Sequence, residues 1–242
     1  MTVCVAAICE GNILIGASDR MITFGDIQFQ PPTPKIYNLT SSINVMTSGD
    51  AAFQGEFLQS AYAEVLQRIT DRPHDWLTVN EAVQIIIRHR NEAKAQRAEA
   101  AILAPLALDR PGFLQGMHGL GDELAKTVAT DMVQFAVPQT ALIVCGIDGT
   151  GAHIYSIFDG VPYCNDTMAF AAIGMGTRHA ESQFMLTEHA RHRSISETLL
   201  LVYSAKKRAE IAPGVGTVTD MFTGGANLGF DVSNFRRDRD AR

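Results

Sequence analysis

An α+β fold, with sheets stacked face to face and helices covering both outsides, is predicted by three features of this 242-residue sequence. Strand-like runs open each half of the chain. Paired helical stretches follow them, and each strand series delivers the chain to its helices at a glycine. Strands, helices, strands and helices in that order argue for segregated elements packed in layers.

The first two strands are the apolar, β-branched runs at 3–8 and 13–18, separated by Glu10-Gly11-Asn12 in a hairpin pattern. After Asp19 a polar stretch carries Pro31, Pro32 and Pro34. Two further strand candidates, 35–39 and 43–47, end at Ser48-Gly49-Asp50. The period then changes: Phe53, Phe57, Ala61, Val65 and Ile69 recur every four residues and predict a helix over 50–69. A second helix opens at Thr78, with Glu81 three residues on as a capping-box partner. It carries Ala82, Val83, Ile85, Ile86 and Ile87. It then becomes polar and alanine-rich through NEAKAQRAEA, a composition that keeps helix propensity and predicts a helix projecting from the core. Pro105, Pro111 and Gly112 interrupt, and 114–136 reads as a further helical stretch.

The second half repeats the plan. Strands at 141–147 and 153–158 flank Asp148-Gly149, and 168–173 leads into Gly174-Met175-Gly176 and a new helix. The last helix starts at a second capping box, Ser194 to Glu197, and stops near Pro213-Gly214, after which 218–222 reads as a strand. Residues 1–229 are expected to form a single domain with an inserted or extended helical segment at about 90–136. Residues 230–242, ending FRRDRDAR, read as a solvated, charged tail.

Composition narrows the function. A hydrophobic fraction of 46% supports a large core, and 20 basic against 26 acidic residues give a net charge of -6, which repels a phosphate backbone. Nucleic acid is not an expected partner. No apolar run approaches the roughly 20 residues of a membrane span, and the opening residues have no basic n-region, so no membrane association is expected and the cytoplasm is the expected location. Cys4, Cys9, Cys145 and Cys164 lie in apolar strand-like segments without metal-ligand spacing and read as buried thiols of a reducing compartment. Cys4 and Cys9 fall on opposite faces of one strand. His189 and His192, with Arg191 and Arg193, are assigned to a helix end favoured by the dipole. Neither Gly174-Met175-Gly176 nor Gly224-Gly225 has a phosphate-loop pattern, and G-x-S-x-G is absent. No cofactor and no metal are expected.

The candidate chemistry rests on polar residues at strand ends. Thr2, once Met1 is removed, carries a hydroxyl and a free α-amine, a group that ordinarily titrates at about 7.7–8.0, so nucleophile and base share one residue. Asp19 and Lys35 stand at strand boundaries. A lysine beside the threonine hydroxyl favours its alkoxide, and a buried lysine needs a partner such as Asp19; the same two residues also suit an ordinary sheet-edge ion pair. Gly49 precedes a helix, where an unobstructed N–H can face an oxyanion or simply make a turn.

Taken together, these residues resemble the proteasome β-subunit and HslV family of N-terminal-nucleophile (Ntn) hydrolases, as an atypical bacterial-type proteasome-related member. GASDRMIT, PKIYNL and MTSGDAAFQ look like the hairpin aspartate, the lysine-bearing strand and the glycine at the first helix. The spacings, 16 positions from Asp19 to Lys35 and 14 from Lys35 to Gly49, are similar to those of catalytic subunits. ALIVCGIDGTGAHIYSI and AFAAIGMGTRHAESQF extend the resemblance over most of the chain outside 90–136. It implies a four-layer αββα sandwich of two stacked antiparallel sheets flanked by helices. Thr2 would be nucleophile and base, Lys35 its activator, Asp19 the orienting partner of Lys35, and Gly49 the oxyanion donor. The implied activity is threonine-type peptidase or amidohydrolase chemistry on a peptide or protein substrate, in a homo-oligomeric ring whose ATPase partner is unspecified. Alternatives are a catalytically inactive assembly subunit and an Ntn acyl transferase.

The chain also departs from the family pattern. Met175 stands where a serine is usual, Glu210 and Pro213 stand for the family's aspartate and serine after the last helix, and, with Thr2 following Met1, no propeptide is expected.

Overall fold

The computed structural model describes residues 2–24, 26–116, 119, 121–225 and 229–235. β1 (Val3–Cys9) and β2 (Ile13–Asp19) form the expected hairpin, with Cys4 opposite Ser18 and Cys9 opposite Ile13. Its turn takes left-handed backbone at Glu10 (φ 44) and Gly11 (φ 78), and the Glu10 side chain accepts from Ile195 N at 3.0 Å. The polar stretch beyond Asp19 holds a small hairpin that the sequence reading lacks, β3 (Ile22–Phe24) and β4 (Ile27–Phe29). Each is three residues long, too short for a legible alternation.

β5 (Ile36–Asn38) and β6 (Ile43–Gly49) lead into α1 (Ala51–Asp71), capped by Asp50, whose Oδ1 accepts from Phe53 N at 2.7 Å. Phe53, Phe57, Ala61 and Val65 of its apolar stripe are buried, and Ile69 is exposed. α2 (Val79–Ala98) begins at the capping box of Thr78 and Glu81. Its polar half does not project as expected. Arg90, Ala93 and Ala98 are buried, and Arg97 pairs with Glu56 of α1 at 2.7 Å while its guanidinium stacks over Phe53. Long side chains that cover apolar surface with their stems explain how a polar composition packs there. A π-turn at Glu99–Leu103, α3 (Arg110–Gly116) and α4 (Asp122–Gln134) follow and share a small cluster of Leu103, Phe113 and Val128.

The second half supplies β7 (Thr140–Asp148), β8 (Gly151–Phe158), β9 (Val161–Cys164), β10 (Phe170–Gly174), α5 (Thr177–Leu186), α6 (Ile195–Ala209), β11 (Thr219–Gly225) and β12 (Gly229–Phe235). β12 pairs with β11 along its length, so the folded chain extends beyond the 229 boundary read from sequence. The remainder of the expected tail, 236–242, lies outside the described residues.

Ten of these strands form two five-stranded antiparallel sheets, ordered β10-β1-β2-β11-β12 and β5-β6-β7-β8-β9. The fold is therefore α+β. The two halves of like plan interlock: the first hairpin takes β10 of the second half as neighbour, and β6 of the first half pairs with the second hairpin. β1 is buried on both faces. Val3, Val5 and Ala7 pack with Phe184 and Val202 of α5 and α6, whereas Cys4, Ala6 and Ile8 pack with Ile143, Cys145 and Ile154 of the other sheet. A third cluster joins Val45 and Val144 to Phe53, Phe57 and Ile86 of α1 and α2.

Two further expectations are corrected. Cys164 is exposed, because β9 is an edge strand, whereas the other three cysteines are buried. The basic cluster lies past the end of α5 rather than on its last turn. There His189 Nε2 sits 3.1 Å from Ile8 O, and Arg191 donates to Gly11 O at 2.7 Å and to Ala152 O at 2.5 Å. His189 and Arg191 thus bind hairpin carbonyls, whereas Arg193 donates to Thr187 O at the C-cap of α5, in keeping with the helix-end assignment. Among the described residues, no helix is long and apolar enough to cross a membrane.

Candidate active site

Asp19 closes β2 and is fully buried, which an ionised carboxylate tolerates only with several donors. It has them. Oδ1 accepts from Val3 N at 3.0 Å, and Oδ2 accepts from Met21 N at 3.0 Å and Gly216 N at 2.7 Å. Thr2 lies directly before β1, so the hairpin register sets its side chain beside this carboxylate, and its hydroxyl donates to Asp19 Oδ1.

Lys35 reaches the same point from the other sheet. Its Nζ donates to Thr2 Oγ1, to Asp19 Oδ1 at 3.1 Å and to Met21 O, and its side chain is only 13% exposed. Thr47 N donates to Lys35 O at 3.2 Å, tying the lysine backbone to β6. The threonine hydroxyl is thus held between a cation and an anion. An ammonium donating to an oxygen stabilises negative charge on it.

Two glycines seat the Thr2 backbone. A Cβ on Gly174 (φ +96) would lie 2.3 Å from Thr2 O, and Gly176 N donates to Thr2 O at 3.3 Å. Met175 between them is exposed. Gly49 ends β6 at φ +112, and a Cβ there would lie 2.3 Å from Gln139 O, so only glycine fits. Thr2, Lys35 and Gly49 line one cleft of about 970 Å³, with Ile22, Val45, Leu58 and Tyr62 among its apolar walls. That volume is at the upper end for ligand sites.

The structure therefore brings Thr2, Asp19 and Lys35 into mutual contact and sets Gly49 on the cleft that Thr2 and Lys35 line. Cys4, two residues beyond Thr2, is no competing nucleophile. Burial pushes its thiol up to about 12 against the opposing influence of Lys35, and it donates to Thr47 O at 3.5 Å.

Two features escaped the sequence reading. Arg20 grips Asp220 in two hydrogen bonds of 2.7 and 2.6 Å and donates to Pro32 O at 2.6 Å, fixing the segment that leads to Lys35. Its hydrogen bonds to the Asp220 carboxylate hold the guanidinium pKa above its usual value. The partners are 200 positions apart, so no local signal marks the pair. The second is Lys206, which is wholly buried and donates at 2.6 Å to Oε1 of Glu210, an atom that also accepts from Lys207 at 2.7 Å.

In comparisons with known proteins, no protein-family model matches this chain, and no curated protein matches it.

Proposed function

We propose that the protein is a threonine-type N-terminal-nucleophile peptidase or amidohydrolase, with the four-layer αββα sandwich of the proteasome-like hydrolases. The three core clusters, between helices and sheet, between the sheets, and between sheet and helices, support that layering. The single observation that carries the activity is the Thr2 hydroxyl bonded to both Lys35 and Asp19 on a large cleft.

Excision of Met1 gives Thr2 its free amine. Thr2 Oγ attacks the carbonyl carbon of the scissile amide while the amine takes the hydroxyl proton. The oxyanion of the tetrahedral adduct is assigned to Gly49 N–H, and Lys35 supplies positive charge beside the attacking oxygen. Collapse breaks the C–N bond, passes the proton to the leaving nitrogen and leaves an ester on Thr2. Water, deprotonated by the same amine, then cleaves the ester and restores the hydroxyl. The substrate is a peptide or protein, and confinement in a cytoplasmic homo-oligomeric ring belongs to the same reading. An inactive assembly subunit is the second reading, favoured by Met175 and Pro213, which stand where the family pattern has serines.

The test is intact-mass measurement after incubation with an epoxyketone or β-lactone directed at N-terminal threonine. One adduct is expected on the wild type, lost in Thr2→Ala. An unlabelled wild type whose N-terminus is verified as Met1 selects the assembly reading.

A further inference from the structure

Lysine is among the residues least often fully buried, because desolvating an ammonium is costly unless it is paired. Lys206, on the last turns of α6, is 0% exposed. Its Nζ donates to Glu210 Oε1 at 2.6 Å and to Gly216 O at 2.8 Å. Gly216 in turn donates its N–H to Asp19 Oδ2 at 2.7 Å, and the other oxygen of that carboxylate holds Thr2 and Lys35.

Gly216 lies in the irregular segment between α6 and β11, where no strand ladder fixes the backbone. It is packed so closely that an added Cβ would lie 2.6 Å from Gln30 Oε1 and 3.1 Å from Met21 Cβ. A displacement of this loop would remove one of three backbone donors from Asp19.

We propose that Lys206 is a positioning residue of the Thr2 site: by gripping the Gly216 carbonyl it keeps the Gly216 N–H on Asp19, and through Asp19 it keeps Thr2 and Lys35 aligned. The inference rests on the Thr2 reading above. Glu210 serves the site through Lys206. Burial draws the Lys206 ammonium below its ordinary pKa, and Glu210 opposes that shift, with Asp19 adding to the opposition.

Lys207 provides the control, since it shares Glu210 but is 28% exposed, and among the described residues its ammonium pairs with Glu210 and not with Gly216. Because Glu210 keeps Lys207, Lys206→Met leaves no orphaned carboxylate. The experiment compares wild type, Lys206→Met, Lys206→Gln and Lys207→Met as full-length proteins reacting with an epoxyketone. It reads the limiting inactivation rate and the half-saturating concentration separately. Lys206→Met is expected to lower the limiting rate about tenfold or more, the kinetic equivalent of one hydrogen bond to a charged group, with an unchanged half-saturating concentration. Lys206→Gln, which retains an N–H, falls between it and wild type, and stands in its place if the Met variant does not fold. Lys207→Met matches wild type.

Hydrogen exchange over 214–218 is read in the same proteins and does not depend on activity. It is expected to accelerate in Lys206→Met and to a smaller extent in Lys206→Gln. A wild-type rate and unchanged exchange in the Lys206 variants overturn the proposal. An unlabelled wild type with accelerated exchange in those variants overturns the Thr2 reading and leaves the positioning of Gly216 standing.

Discussion

Lys35 Nζ lies 3.1 Å from Asp19 Oδ1, and the pair joins two sheets: Asp19 ends β2 of one, and Lys35 stands directly before β5 of the other. The ion pair therefore staples the sheets at the point where Thr2 sits. Its removal should be felt in both stability and chemistry.

Lys35→Met leaves a fully buried carboxylate without its cation, a change that costs about 3 kcal/mol for a buried pair. The three backbone donors on Asp19 keep the cost at the low end of that class. Denaturant melts should show the loss. Epoxyketone labelling of Thr2 should fall about 100-fold or more, as for removal of a main electrostatic stabiliser. Labelling at the wild-type rate would exclude Lys35 from the chemistry.

Gly49→Ala forces a Cβ against Gln139 O at a backbone of φ +112. Positive-φ strain alone costs about 1–3 kcal/mol, and the collision adds to it. Gly149, with nothing within 4 Å of a Cβ, is the matched control, and Gly149→Ala should leave the denaturation midpoint nearly unchanged.

Burial pushes the Cys4 thiol up to about 12 and that of Cys9 to about 11, and raises Cys145 as well. Little thiolate exists at these positions near neutral pH, while Cys164 is exposed on β9. Iodoacetamide at pH 7.5 should therefore add one carbamidomethyl group to the folded protein, and peptide mapping should find it on Cys164.

Glu181 of α5 has its carboxyl pKa raised by burial. A folded pKa above the unfolded one means that the native state binds more protons. Stability is therefore full below the unfolded value and declines as pH rises through the folded one. Glu181→Gln should melt at a higher temperature than wild type at pH 7, and the difference should close as the pH is lowered through the carboxylate range. A constant difference across that range would point to packing instead.

What could be read from sequence was local. The capping boxes at Thr78 and Ser194 and the hairpin around Gly11 are written in residues three or four apart, and the structure forms each of them. Thr2, Asp19, Lys35 and Gly49 could be singled out because each stands where a strand begins or ends. The unread parts depend on distance. Lys206 belongs to a Lys-Lys-Arg run that looks like an ordinary solvated helix end, and only the fold-back of Gly216 buries it. Arg20 and Asp220 meet only when β2 and β11 pair. The sheet order itself, with each hairpin taking a strand from the opposite half, leaves no mark in either half alone.

That exchange of strands fixes when a nascent chain can become competent. β1 has no neighbour on its outer side until 170–174 have been synthesised, and Asp19 lacks the amide of Gly216 until the chain has grown past that residue. A ribosome-bound fragment carries all four of these residues once Gly49 has been added, yet it cannot assemble them. Pairing of the late segments, rather than the appearance of the threonine, is the step that assembles the cluster.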